Sequence, residues 1–124
     1  MAKLFLDANY FIDLVEKRKE IDINHFQNHS LYISPLSIHI LVYVYKYKIP
    51  NKHLPEVTRY FSLVPLDETV IQRSFLGPSG DFEDNIQLHS SAFAQCSVFL
   101  TRDLSLLRIG YFGFVKIQSA VNNK

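Results

Sequence analysis

Apolar residues along the chain fall into two alternating patterns, short continuous runs and stretches with helical spacing. Residues 3 to 6, KLFL, form an apolar run that stops at Asp7; Tyr10, Phe11, Leu14 and Val15 then recur at helical intervals before the charged EKRKE run. This predicts a strand followed by a helix. Leu31 to Ile33 make a second short strand. The segment from Pro35 to Lys48 places Leu36, Ile40, Leu41 and Val44 at helical intervals, with Ser34 and Pro35 suited to a helix start. Its β-branched content leaves a strand as the alternative, although thirteen or so residues are long for one.

His53 to Phe61 adds a helical turn or two, followed by a third strand at Ser62 to Leu66. Asp67 resembles an N-cap, and its helix runs until Gly77, Pro78 and Gly80 break the chain. From Phe82 to Cys96 the pattern reads as a buried helix feeding a strand at Ser97 to Leu100. A short turn or helix, LSLLRIG, precedes a last strand from Phe112 to Ile117 and a polar tail at 121–124. Strand and helix thus alternate about four times. The expected fold class is α/β, a mostly parallel central sheet flanked by helices, because right-handed crossovers place a helix between parallel strands.

At 124 residues the chain has the length of one domain, expected over 1–120, and its 48% hydrophobic content is enough for a core. Thirteen Lys and Arg against twelve Asp and Glu exclude binding to nucleic acid through bulk charge, so such a partner needs a local site. The lone cysteine, Cys96, excludes an internal disulfide, fits a reducing compartment and reads as a buried hydrophobe. The N-terminus reads as neither a secretory signal nor a membrane span. The apolar stretch Ile38 to Tyr45 is under half of the roughly 20 residues that cross a bilayer, and the expected location is cytoplasmic.

Asp7, directly after KLFL, would lie at the carboxyl end of the sheet, where open α/β folds place their ligand crevice. Asp103 follows VFLTR at the same kind of address, and Asp84 lies in the first turn of a helix, whose N-terminus favours a carboxylate. Three carboxylates brought together repel and raise one another's pKa unless a cation neutralises them, and oxygen ligands with open water positions suit Mg²⁺ or Mn²⁺. Zinc is the weaker reading, since only the loose His25 and His29 spacing resembles a ligand pair. Each aspartate also has a plainer role available, as helix cap, dipole partner or turn initiator.

The segments LFLDANYFIDL, DFEDNIQLHSSAFAQC and VFLTRD together resemble a PIN domain, the fold of many toxin ribonucleases in bacterial and archaeal toxin–antitoxin pairs. The resemblance runs along nearly the whole chain and matches Asp7, Asp84 and Asp103 to the family's acidic positions. It implies metal-dependent hydrolysis of RNA phosphodiesters, with Mg²⁺ or Mn²⁺ held by these aspartates, and as partners RNA, a protein inhibitor (the antitoxin) and a second copy in a homodimer. Tyr43, Tyr45 and Tyr47 are candidate interface aromatics.

One position departs from the family. Its second helix usually carries a glutamate in a Ser-x-x-Glu arrangement; here Ser37, Ile38 and His39 are followed by Ile40. Ile40 cannot hold a metal, so the alternative function is a degenerate PIN-like domain that binds RNA or a protein without cleaving. Asp81, Glu83 or His39 could fill the gap. Asp81 is the best of these as an added metal ligand, with helix N-cap its plainer role, and His39 lies about 100° around the helix from Ile40. Asn9 would orient a ligand water or cap the first helix. Ser37 and Thr101 could hydrogen-bond the carboxylates. Arg73, Arg102, Arg108 and Lys116 are candidate phosphate contacts or solvated surface cations.

Overall fold

The computed structural model describes residues 2–16 and 23–121. Most of the EKRKE run and the last three residues of the polar tail therefore lie outside the described residues. The chain runs β1 (Lys3–Leu6), α1 (Ala8–Val15), a 3₁₀ turn (Ile23–Phe26), β2 (Ser30–Ile33), α2 (Pro35–Val44), α3 (His53–Thr58), β3 (Ser62–Leu63) and α4 (Glu68–Ser74). It continues through α5 (Phe82–Phe93), β4 (Val98–Leu100), α6 (Leu104–Ile109), β5 (Tyr111–Phe112) and β6 (Val115–Gln118). One six-stranded sheet has the order β3-β2-β1-β4-β6-β5, parallel throughout except for the β5–β6 hairpin. This is the expected α/β class, a mostly parallel sheet flanked by helices.

The continuous apolar run of β1 reflects burial on both faces, since strand side chains alternate between faces. Leu4 and Leu6 enter a core with Tyr10, Phe11, Ile33 and Leu41 under α1 and α2. Phe5 enters the opposite core with Leu88, Phe99 and Leu106 under α5 and α6. Phe5 and Phe99 stack across neighbouring strands with ring centroids 5.6 Å apart.

Ser34 caps α2 by accepting from Leu36 N at 3.1 Å, with Pro35 in the first turn, so this segment is a helix rather than a long strand. It stops at Val44 rather than Lys48, because Lys46 takes a left-handed φ of 54°. Gln95, at φ 58°, likewise ends the α5 helix before Cys96. The last predicted strand is two, because Gly113 at φ 61° turns the chain between β5 and β6. Strand β3 has only two residues, although Val64 N still donates to Ile33 O at 2.9 Å.

Candidate active site

Parallel pairing in the register Leu6↔Leu100 brings the ends of β1 and β4 side by side, and with them Asp7 and Thr101. Asp7 N donates to Leu100 O at 3.0 Å, carrying the ladder one step past the strands. Asp7 is the N-cap of α1 and is 6% exposed. Its Oδ1 accepts from Ala8 N and its Oδ2 from the buried Thr101 hydroxyl, both at 2.8 Å. Thr101 Oγ1 in turn accepts from Asp103 N at 3.0 Å. Thr101 thus plays the expected part of holding a carboxylate, and it locks together residues 94 positions apart.

Asp103 is exposed and caps α6, its Oδ1 accepting from Ser105 N at 2.8 Å and Ser105 Oγ at 2.6 Å. Asp84 is half-buried in the first turn of α5. Asp81 caps that helix, accepting from Asp84 N at 2.9 Å. Buried Asn85 shapes the loop that delivers this helix start. Its Oδ1 accepts from Ser79 N at 2.9 Å and Ser79 Oγ at 2.7 Å, while its Nδ2 donates to Ser74 O and Ser79 O, each at 3.0 Å.

The carboxylates feel one another. Burial, opposed by the bonds from Thr101 and Ala8 and assisted by the charges of Glu83 and Asp103, lifts Asp7 from 3.8 to about 6. Burial and then repulsion from Asp81, Asp7, Asp103 and Glu83 lift Asp84 to about 7. Asp103 moves the other way, held low chiefly by the Ser105 hydroxyl. The structure therefore brings Asp7, Asp84 and Asp103 into one electrostatic neighbourhood at the carboxyl edge of the sheet, with Asp81 and Glu83 on its rim.

Other candidates are placed differently. Asp7 takes the cap of α1, which leaves Asn9 exposed rather than capping. His39 is exposed and stacks on Tyr43 at 6.2 Å, while Ile40 packs against the first core. Buried Ser37 meets Gln87 Nε2 at 3.5 Å rather than an aspartate. Arg102 pairs with Asp13 at 3.1 Å and lies 4.5 Å over the Tyr10 ring. Arg73 lines a separate cavity of about 660 Å³ with His89, Cys96, Phe112 and Val115.

Two side chains were not singled out in the sequence, Asn85 and Gln87, both inside α5 and both buried. Their signal was a polar residue on either side of buried Ile86. Gln87 is fully buried and its Oε1 is without a hydrogen-bond partner, as is Ser90 Oγ.

Among the described residues no group of three or more His, Cys, Asp or Glu side chains is placed to hold a metal ion. A hard cation that keeps several waters and takes one or two carboxylates has a looser demand. The donors around Asp7 are all oxygens, the kind such an ion takes, and Asp7 and Asp84 are raised chiefly by burial.

No family model matches the chain, and no curated protein matches it. Among solved structures it is similar to a chain of VapBC2 from Rickettsia felis, determined bound to a DNA fragment from their promoter. The TM-score is 0.67 with 11% sequence identity, over 94% of this chain and 97% of that one. The likeness is one of fold: both share the PIN-like α/β architecture. No helix among the described residues is long and apolar enough to cross a membrane.

Proposed function

We propose that the chain is a metal-dependent endoribonuclease that hydrolyses RNA phosphodiesters as the toxin component of a toxin–antitoxin pair. What supports this reading is the placement of Asp7, Asp84 and Asp103, on three separate elements, at the carboxyl edge of a PIN-like sheet within reach of one another's charge, with Asp7 and Asp84 both raised by burial first. Asp7, Asp84 and Asp103 would hold Mg²⁺ or Mn²⁺, with Asp81 on the rim. A bound ion of this kind supplies water activation and charge stabilisation at a phosphoryl group.

The chain's own part is positioning. Ala8 N–H and the Thr101 hydroxyl fix the plane of the Asp7 carboxylate. Asp84, raised to about 7, is partly protonated near neutral pH, so cation uptake there would release protons. Partner proposals follow the same likeness: RNA at the cleft, an antitoxin that covers it, and a second copy of the chain.

Ile40 favours the second reading, a PIN-like domain that binds RNA or a protein without cleaving. Cleavage of an end-labelled structured RNA with Mg²⁺ or Mn²⁺ separates the two. The expected result is cleavage that is lost with chelator and in Asp7→Asn. Absence of cleavage that Ile40→Glu restores would support the non-cleaving reading of this chain.

A further inference from the structure

Apolar side chains exposed singly are ordinary, but a solvent-facing pair of rings held face to face asks for a partner. Phe75, the C-cap of α4, and Phe82, the first residue of α5, form such a pair. Their ring planes lie 12° from parallel with centroids 5.2 Å apart, yet Phe75 is 62% and Phe82 44% exposed. The contact closes the loop between α4 and α5, but a tether of that kind uses only the facing sides of the two rings. Leu76, 90% exposed, extends the apolar surface beside them.

The rings form a ledge and not a pocket. The hollow between α4 and α5 is lined by Thr69, Val70, Arg73, His89, Ala92 and Phe93, and neither ring belongs to it. A protein partner anchors an apolar side chain in a hollow of that kind, whereas an unpaired nucleobase needs only an open π-face. Charge points the same way. The chain carries a net charge of +1, and Asp81, Glu83 and Asp84 crowd the start of α5, so bulk attraction does not hold a polyanion here. Base stacking needs no charge on the protein, and Arg73, in the last turn of α4, is exposed to meet a phosphate. Phe82 lies two residues before Asp84, about 160° away around the helix axis, so the ledge flanks the acidic cleft across the start of α5.

We propose that Phe75 and Phe82 form a stacking ledge for an unpaired base of single-stranded RNA, belonging to a nucleotide beside the one whose phosphate enters the acidic cleft. This rests on the RNA reading above and holds whether or not the strand is then cut. Phe75, the more exposed ring, receives the base, and Phe82 backs it. The ledge selects single strands, because bases in a duplex are already stacked on one another and have no free face to offer.

The test is binding of a short fluorescein-labelled oligoribonucleotide, as a single strand and as its duplex, followed by fluorescence anisotropy in chelator and again with Mg²⁺, read before any strand is cut. Wild type should prefer the single strand. Phe75→Leu, which keeps the apolar bulk and removes the π-face, should weaken single-strand binding at least about 5-fold and leave duplex binding unchanged. Phe75→Trp should bind at least as tightly as wild type. A strand of abasic residues should bind wild type and Phe75→Leu alike, a result that a purely structural role of the ring does not produce. Thermal melts guard against unfolding, since a substitution at exposed Phe75 should leave Tm near that of wild type. If wild type binds the single strand while Phe75→Leu and Phe82→Leu bind it equally tightly, the RNA reading stands and the ledge is overturned, which leaves the pair to a protein partner. If wild type binds no RNA in either buffer, the RNA reading falls and this inference falls with it.

Discussion

Asp7→Asn should stabilise the metal-free protein at pH 7.5 and destabilise it at pH 4. The folded protein raises the Asp7 pKa from 3.8 to about 6, with burial the largest cause. A carboxyl raised on folding binds its proton more tightly in the native state, so its contribution is fully present below pH 3.8 and is lost as pH rises through about 6. The rise corresponds to a cost of about 3 kcal/mol once both states are ionised. Asn carries no charge and escapes that cost. Its oxygen can keep the Ala8 N–H and its amide can donate to Thr101 Oγ1, which already accepts from Asp103 N. The Thr101 hydroxyl proton then loses its acceptor, at about 1 kcal/mol.

The net gain is about 2 kcal/mol at pH 7.5, or about 5–10 °C in Tm for a chain of this size. At pH 4 the ionisation cost has shrunk to about 0.5 kcal/mol, the lost hydrogen bond dominates, and the variant melts slightly below wild type. The difference changes sign between about pH 4 and pH 5. The assay is calorimetry of both proteins in chelator across this range. A variant that melts lower than wild type by the same margin at pH 4 and at pH 7.5 would refute the reasoning, since Asp7 would then be an ordinary cap whose hydrogen bonds outweigh its burial.

Three further outcomes are expected. Phe99→Ala, which empties a fully buried ring site stacked on Phe5, should cost about 3–5 kcal/mol in urea unfolding with an unchanged denaturant slope. Gly110→Ala should cost about 1–2 kcal/mol from backbone conformation alone, since Gly110 sits at φ +80° after α6 and no atom lies within 4 Å of the added Cβ. Cys96, buried with a thiol pushed up to about 11, should resist a thiol reagent at pH 7.5 until urea unfolds the chain.

What the sequence disclosed and what it hid follow from range. The KLFL run ended by Asp7, the Ser34–Pro35 helix start and the helix opening near Asp84 are local signals, and each is where the residues placed it. The adjacency of β1 and β4 is not local. A parallel pair leaves no trace at either strand, so the meeting of Asp7 with Thr101, 94 residues away, became visible only in the sheet. Helix ends at Lys46 and Gln95 were missed because ordinary side chains there take the left-handed backbone that glycine usually marks. Gln87 was missed because a glutamine in a helix ordinarily faces solvent, and nothing nearby in the chain announces that α2 covers it.

Under the proposed activity, the lack of a carboxylate at Ile40 is intelligible as a matter of charge. In the metal-free cleft Asp7 and Asp84 already titrate at about 6 and 7, so a further anion on the neighbouring face of α2 would raise both again and remove more stability at neutral pH. Ile40 packs against the first apolar core instead, which favours folding without requiring a bound cation. Under the proposed activity the same lack weakens the hold on a divalent ion, because one fewer charged ligand opposes its dehydration. Under that proposal, stability of the empty cleft and affinity for a cation pull on residue 40 in opposite directions, and Ile40, packed against the first core, serves the former.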